Sequence, residues 1–133
     1  MENIQNKYAE LFKHSCYCFC LCYKYGNSKN EWKWLEYIAK GVQRGYITED
    51  CYVSKPVEFI NECILDGHKA VRDVEKVDFS IHALEEKENI VMFQYNNGTH
   101  FVVMNQAGNV LFDPSGDSNS VKYGIPVSIR KFI

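Results

Sequence analysis

Thr99-His100-Phe101-Val102-Val103-Met104-Asn105 and Val110-Leu111-Phe112-Asp113-Pro114, joined through Gln106-Ala107-Gly108-Asn109, read as a β-hairpin. Two short runs rich in Val and Phe flank a turn that contains Gly. With Ala107 and Gly108 as the turn residues, Gln106 pairs with Asn109 and Val102 lies opposite Asp113. Side chains alternate with period two, so His100 and Asp113 become diagonal neighbours on one face. A four-residue loop keeps that register, whereas a three-residue loop turns the two residues to opposite faces.

Working outward, Ile90-Val91-Met92-Phe93-Gln94-Tyr95 reads as a buried strand, and Asn96-Asn97-Gly98 as the turn leading into the hairpin. Residues 69–74 and 76–81 hold short β-like pieces, residues 82–89 are polar, and 113–120 form a loop of turn residues. Residues 125–133 make a final strand with Pro126 near its start.

The first half is helical. Ile4, Tyr8, Leu11 and Phe12 recur at helical spacing, which predicts a helix over 3–13. Ser15 caps a second helix over 16–25 that ends at Gly26-Asn27. Ser28-Lys29-Asn30-Glu31 reads as a capping box before a third helix, with Trp32, Leu35, Ile38 and Ala39 on its apolar face as far as Gly41. Residues 42–48 connect to the short extended piece Cys51-Tyr52-Val53. Ser54-Lys55-Pro56 opens a fourth helix that carries Val57, Phe59, Ile60, Ile64 and Leu65 and stops at Asp66-Gly67. Helices first and antiparallel strands second define an α+β arrangement, with the helices packed on the sheet. It is read as one domain over 1–133, helical to about 67 and sheet from 68.

A chain of 133 residues is long enough to bury a core without staples. The net charge of −2 gives no reason to expect nucleic acid or a membrane as partner. The first residues lack the apolar stretch of a signal peptide, and no run reaches the roughly 18 apolar residues of a membrane span. The protein is therefore expected in the cytoplasm, with its six cysteines as free thiols.

Cys16, Cys18, Cys20 and Cys22 invite a zinc reading. On a helix, however, Cys16 and Cys20 share one face and Cys18 and Cys22 another, so one ion cannot collect all four. No metal or other cofactor is assigned, and most of these thiols read as small buried hydrophobes. Cys16 differs by position. At the first turn of a helix capped by Ser15, unpaired N–H groups and the positive dipole end favour a thiolate, the form that acts as a nucleophile. His100, oriented by Asp113, is the matching base. The Cys16 backbone N–H is one oxyanion donor, and Gln5, the only Gln upstream, is the weak candidate for the other.

Cys16-Tyr17 opening an apolar helix, His100-Phe101-Val102-Val103 on a strand, then a turn and Asp113-Pro114, resemble the papain-like cysteine peptidases, in particular the bacteriocin-processing type. More closely, the chain resembles domain of unknown function 261, a family of small bacterial, phage- or plasmid-borne proteins. Further matching pieces are Ile47-Thr48-Glu49-Asp50-Cys51-Tyr52-Val53, Val110-Leu111-Phe112-Asp113-Pro114 and Val121-Lys122-Tyr123-Gly124. The resemblance implies a papain-like fold and a peptide or related amide as substrate. It makes Cys16 the nucleophile, His100 the general base and Asp113 its orienting acid. Two positions depart from the papain pattern: Ser15 stands where a Gly is usual, and Glu10 where a Gln is usual. The alternative reading is a catalytically degenerate binding protein on the same scaffold. Neither the substrate nor the oligomeric state is legible.

Overall fold

The computed structural model describes residues 16–26, 30–64, 69–116 and 119–133. The expected helix over 3–13, the Ser15 cap and Gln5 lie outside them. Five antiparallel strands form one open sheet in the order β1-β5-β2-β3-β4, namely β1 (Val74–Asp78), β2 (Asn89–Tyr95), β3 (Gly98–Met104), β4 (Val110–Phe112) and β5 (Ile125–Phe132). The two pieces expected over 69–81 reduce to β1 alone, followed by a 3-10 turn at Ile81–Ala83. β2 and β3 are joined by the two-residue turn Asn96-Asn97, both at positive φ, with Tyr95 paired to Gly98. Asn tolerates that conformation better than most residues, and the turn's hand matches strand twist. Pro126 is accommodated next to an irregularity in the β2–β5 pairing, beyond the last β1 partner, Ser128.

The hairpin turn departs from expectation. Asn105 N–H donates to the Asn109 carbonyl at 2.9 Å, leaving Gln106, Ala107 and Gly108 as a three-residue loop with Gly108 at φ +85°. Gly108 N–H donates to the Asn105 carbonyl, and Asn105 Oδ1 accepts from the Ala107 and Asn109 N–H groups. This is the geometry of a turn followed by a left-handed residue, which Gly adopts without strain. Such a loop would send His100 and Asp113 to opposite faces. The ladder corrects it: Met104 pairs with Val110 but Val103 pairs with Phe112, so Leu111 is an extra, bulged residue. Beyond the bulge, the register is the one a two-residue turn would have produced.

Among the described residues, helices precede the sheet except for the short α4 (Asn119–Tyr123), which begins inside the loop expected over 113–120. Helix α1 (Cys16–Tyr25) has the expected bounds, and Gly26 N–H closes it onto the Cys22 carbonyl at 2.9 Å. Cys18, Phe19, Cys20, Leu21 and Cys22 are all buried. A helix apolar all round belongs inside a core, and the small thiols let neighbours approach from every side.

Helix α2 (Glu31–Gln43) is capped by Asn30, whose Oδ1 accepts the Trp32 N–H at 3.0 Å, while Ser28 of the expected capping box lies outside the described residues. Its buried face is Trp34, Tyr37, Ile38 and Gly41, while Trp32 is 77% exposed, a rotation from the expected stripe. Gly41 allows Ile47 and Phe59 to press against the helix backbone. Helix α3 (Pro56–Glu62) begins on Pro56 as expected, and Tyr46 and Arg44 reach its Glu62. Asn61 then makes paired hydrogen bonds with the Val71 N–H and carbonyl, holding the approach to β1 on α3.

One core cluster joins α1, α2 and α3 to Ile90, Val103, Phe101 and Phe112 of the sheet. A second gathers Val91, Phe93, Val102, Met104 and Ile129 with Leu84, Phe79 and Val121. Both clusters draw on β2 and β3, which alternation requires of strands covered on two faces. Fully burying a Phe59 or an Ile90 contributes about 1.5–3 kcal/mol each.

Candidate active site

Three local structures converge on His100. The first is the end of β4. The Phe112 ring stacks on Tyr23 (4.8 Å between centroids, 7° between planes) and meets Trp34 edge-on at 5.5 Å. Those contacts pin β4 against α1 and α2, and so fix where the next residue, Asp113, begins. The second is the turn that Asp113 starts. Its carbonyl accepts the Gly116 N–H at 2.8 Å, and its Oδ1 accepts the Ser115 N–H at 3.0 Å. Asp113 thus starts the turn and holds the imidazole at once. The same Oδ1 lies 2.6 Å from His100 Nε2, within a pair whose side chains are only 9% and 6% exposed.

The third is the start of α1. The Tyr17 ring packs on Phe101 at 4.7 Å, seating the N-terminus of α1 on β3 beside His100. Cys16, the first residue of the helix and itself buried, lies close enough to the imidazole to favour its protonated form. With Nε2 committed to Asp113, Nδ1 is the ring nitrogen left to face the thiol. The fold thus brings together thiol, imidazole and carboxylate, separated by up to 97 positions in the chain.

The electrostatics around His100 oppose each other. Burial works against the imidazolium, whereas hydrogen bonds to Cys16 and Asp113 favour it, and the balance raises His100 above the usual 6.5. Burial pushes Cys18 and Cys20 well up, raises Cys63, and takes Cys51 up to about 11. A thiol in such a setting is a poor nucleophile. All six cysteines are free and buried. Among the described residues, no group of three or more His, Cys, Asp and Glu is placed to hold a metal ion.

A cleft of about 550 Å³ opens at Cys16, lined by Tyr17, Tyr52, Val53, Met92, Thr99, Phe101 and Arg130. None of the last seven was legible as a site residue. Met92, Thr99, Phe101 and Arg130 converge through the pairing of β2 with β3 and β5, which no local pattern announces. Gln5 cannot be related to the cleft, since it lies outside the described residues.

Fold and site together define an α+β protein in which a buried imidazole is paired with a carboxylate near the thiol that begins a helix. The chain belongs to the family described as protein of unknown function, DUF261, whose model matches residues 1–133. No curated protein and no solved structure matches it. Among the described residues, no helix is long and apolar enough to cross a membrane.

Proposed function

We propose that the protein is a papain-like cysteine peptidase or amidase that works through Cys16, His100 and Asp113. The observation that carries the reading is the 2.6 Å contact between Asp113 Oδ1 and His100 Nε2, with Cys16 near enough to raise the imidazole further. An inert core histidine needs one partner. One gripped by a carboxylate and facing a thiol at a helix start, beside an open cleft, is arranged for proton transfer.

In this reading His100 accepts the Cys16 proton and the sulfur attacks a peptide or related amide carbonyl. The Cys16 backbone N–H faces the developing oxyanion, with Gln5 assigned as second donor on sequence order. The imidazolium then protonates the leaving amine as the C–N bond breaks, which leaves a thioester on Cys16. Water, giving its proton to His100, attacks the thioester, releasing the carboxylic acid and restoring the thiol. Asp113 orients the ring and supports its charge throughout. Six unbridged thiols suit a reducing compartment such as the cytoplasm.

The test is acyl transfer from p-nitrophenyl acetate. A burst of p-nitrophenolate is expected, together with an acetyl group on Cys16 seen by peptide mass spectrometry. His100→Ala is expected to slow the burst by about 10²-fold or more. Release that is unchanged in Cys16→Ala overturns the proposal in favour of a binding protein on this scaffold.

A further inference from the structure

Arg130 lies in the cleft with Cys16, on β5 opposite Ile90, and is only partly buried. Its guanidinium carbon stands 5.2 Å from the centre of the Phe101 ring, which in turn packs on Tyr17. One terminal nitrogen donates to Ser128 Oγ at 2.8 Å, and the other lies 3.9 Å from the Met92 sulfur. Among the described residues it has no carboxylate partner. Lys24, Arg44, His100 and Lys131, by contrast, each pair with a carboxylate.

An arginine held this way is unusual in its economy of partners. A neutral hydroxyl, a thioether and an aromatic face fix its orientation without neutralising it. Most of its five N–H donors stay uncommitted, and the planar fork suits a carboxylate that approaches with two oxygens. A sphere of 550 Å³ is about 10 Å across, so a group bound at Arg130 and a carbonyl at Cys16 fit one short ligand. Asp113 does not compete for the guanidinium, because its carboxylate is engaged by His100.

We infer that Arg130 is the specificity-determining residue of this cleft and that it selects substrates carrying a carboxylate close to the bond attacked. The carboxylate is either an acidic side chain or a free C-terminus. The inference rests on the proposed Cys16 chemistry for its meaning as substrate selection, but the anion site itself can be tested apart from it.

The experiment compares alkylation of Cys16 by iodoacetate and by iodoacetamide, reagents of similar size that differ in charge. The rate ratio of anion to amide at Cys16 is expected to exceed that of free cysteine. Arg130→Met is expected to lower this ratio by about fivefold or more. Arg130→Lys, which keeps the charge, is expected to fall between. A ratio that is the same in wild type and Arg130→Met overturns the inference.

A second measurement uses Cys16→Ser, where no alkylation can occur. N-acetyl-glutamate α-amide, N-acetyl-glycine and the neutral control N-acetyl-glutamine α-amide are added while the Arg130 Nε–Hε resonance is followed by NMR. A shift with the first identifies an acidic side chain as the ligand, and a shift with the second identifies a terminal carboxylate. No shift with either overturns the anion site. Failure of the Cys16 proposal shows differently, as loss of the acyl-transfer burst with the Arg130 response intact.

Discussion

Replacing Asp113 tests whether the carboxylate and His100 form a coupled pair or are merely close. The 2.6 Å contact is charge-assisted when the ring is protonated, and hydrogen bonds to charged groups contribute about 1.5–3 kcal/mol net. With side chains 9% and 6% exposed, solvent screening removes little of that. Asp113→Ala also strands the Ser115 N–H, so its cost is set at about 2–4 kcal/mol. Asp113→Asn keeps an acceptor oxygen but loses the charge, and about 1–2 kcal/mol is expected.

The pH dependence has a definite sign. His100 is raised in the folded state, so its protonation stabilises the fold. That contribution is complete below the unfolded value of about 6.5 and disappears as pH rises through the higher folded value. Urea unfolding at about pH 5.5, below the ordinary histidine value, should therefore show the full penalty. At about pH 9 the penalty should shrink to that of a neutral imidazole losing its acceptor. Proton NMR of the His100 ring should show its midpoint falling in Asp113→Asn. An equal penalty at both pH values, or an unchanged His100 midpoint, refutes the coupling.

Two further substitutions address the scaffold. Deleting Leu111 removes the bulged residue while leaving Phe112 opposite Val103, so the raised His100 titration is expected to survive; its return to the ordinary histidine value contradicts the bulge assignment. At Gly41, an added Cβ lies 2.8 Å from Ile47 Cδ1 and 3.0 Å from Phe59 Cδ1. Overpacking of about 1–3 kcal/mol then outweighs the helix-propensity gain of about 1 kcal/mol, so Gly41→Ala should lower stability in urea melts; a rise would show that the core can yield there.

Local chemistry made some elements legible from sequence and left others hidden. Ser15, an unbroken apolar run and Gly26 bracket α1, and its bounds emerge from those signals alone. In α2, Trp32 and Trp34 offer two helical stripes of similar quality. Only packing against Phe19, Tyr23 and Phe112 decides for Trp34, and with it for Asn30 as the cap. The hairpin is instructive in a different way. His100 and Asp113 were readable as partners, yet the two-residue turn that justified the register does not form. A three-residue loop and a bulge offset each other, and a bulge has no sequence signature apart from the extra residue. Helix α4 is five residues long and lacks an apolar stripe, so it left no pattern to find. Arg130 is invisible for the same kind of reason, since its place in the cleft depends on a strand register set 30 or more residues away.

The decisive measurement is the pH profile of Cys16 alkylation by iodoacetamide, in wild type and in His100→Ala. Selectivity over the other five thiols would not suffice, because all of them are buried; Cys51, at 7% exposed like Cys16, serves as the internal control. If His100 and Cys16 share a proton, alkylation of Cys16 should persist at about pH 6, where an ordinary thiol is almost wholly protonated. His100→Ala should restore the ordinary rise of about tenfold per pH unit. Superimposable profiles in the two proteins would contradict the Cys16–His100–Asp113 assignment outright.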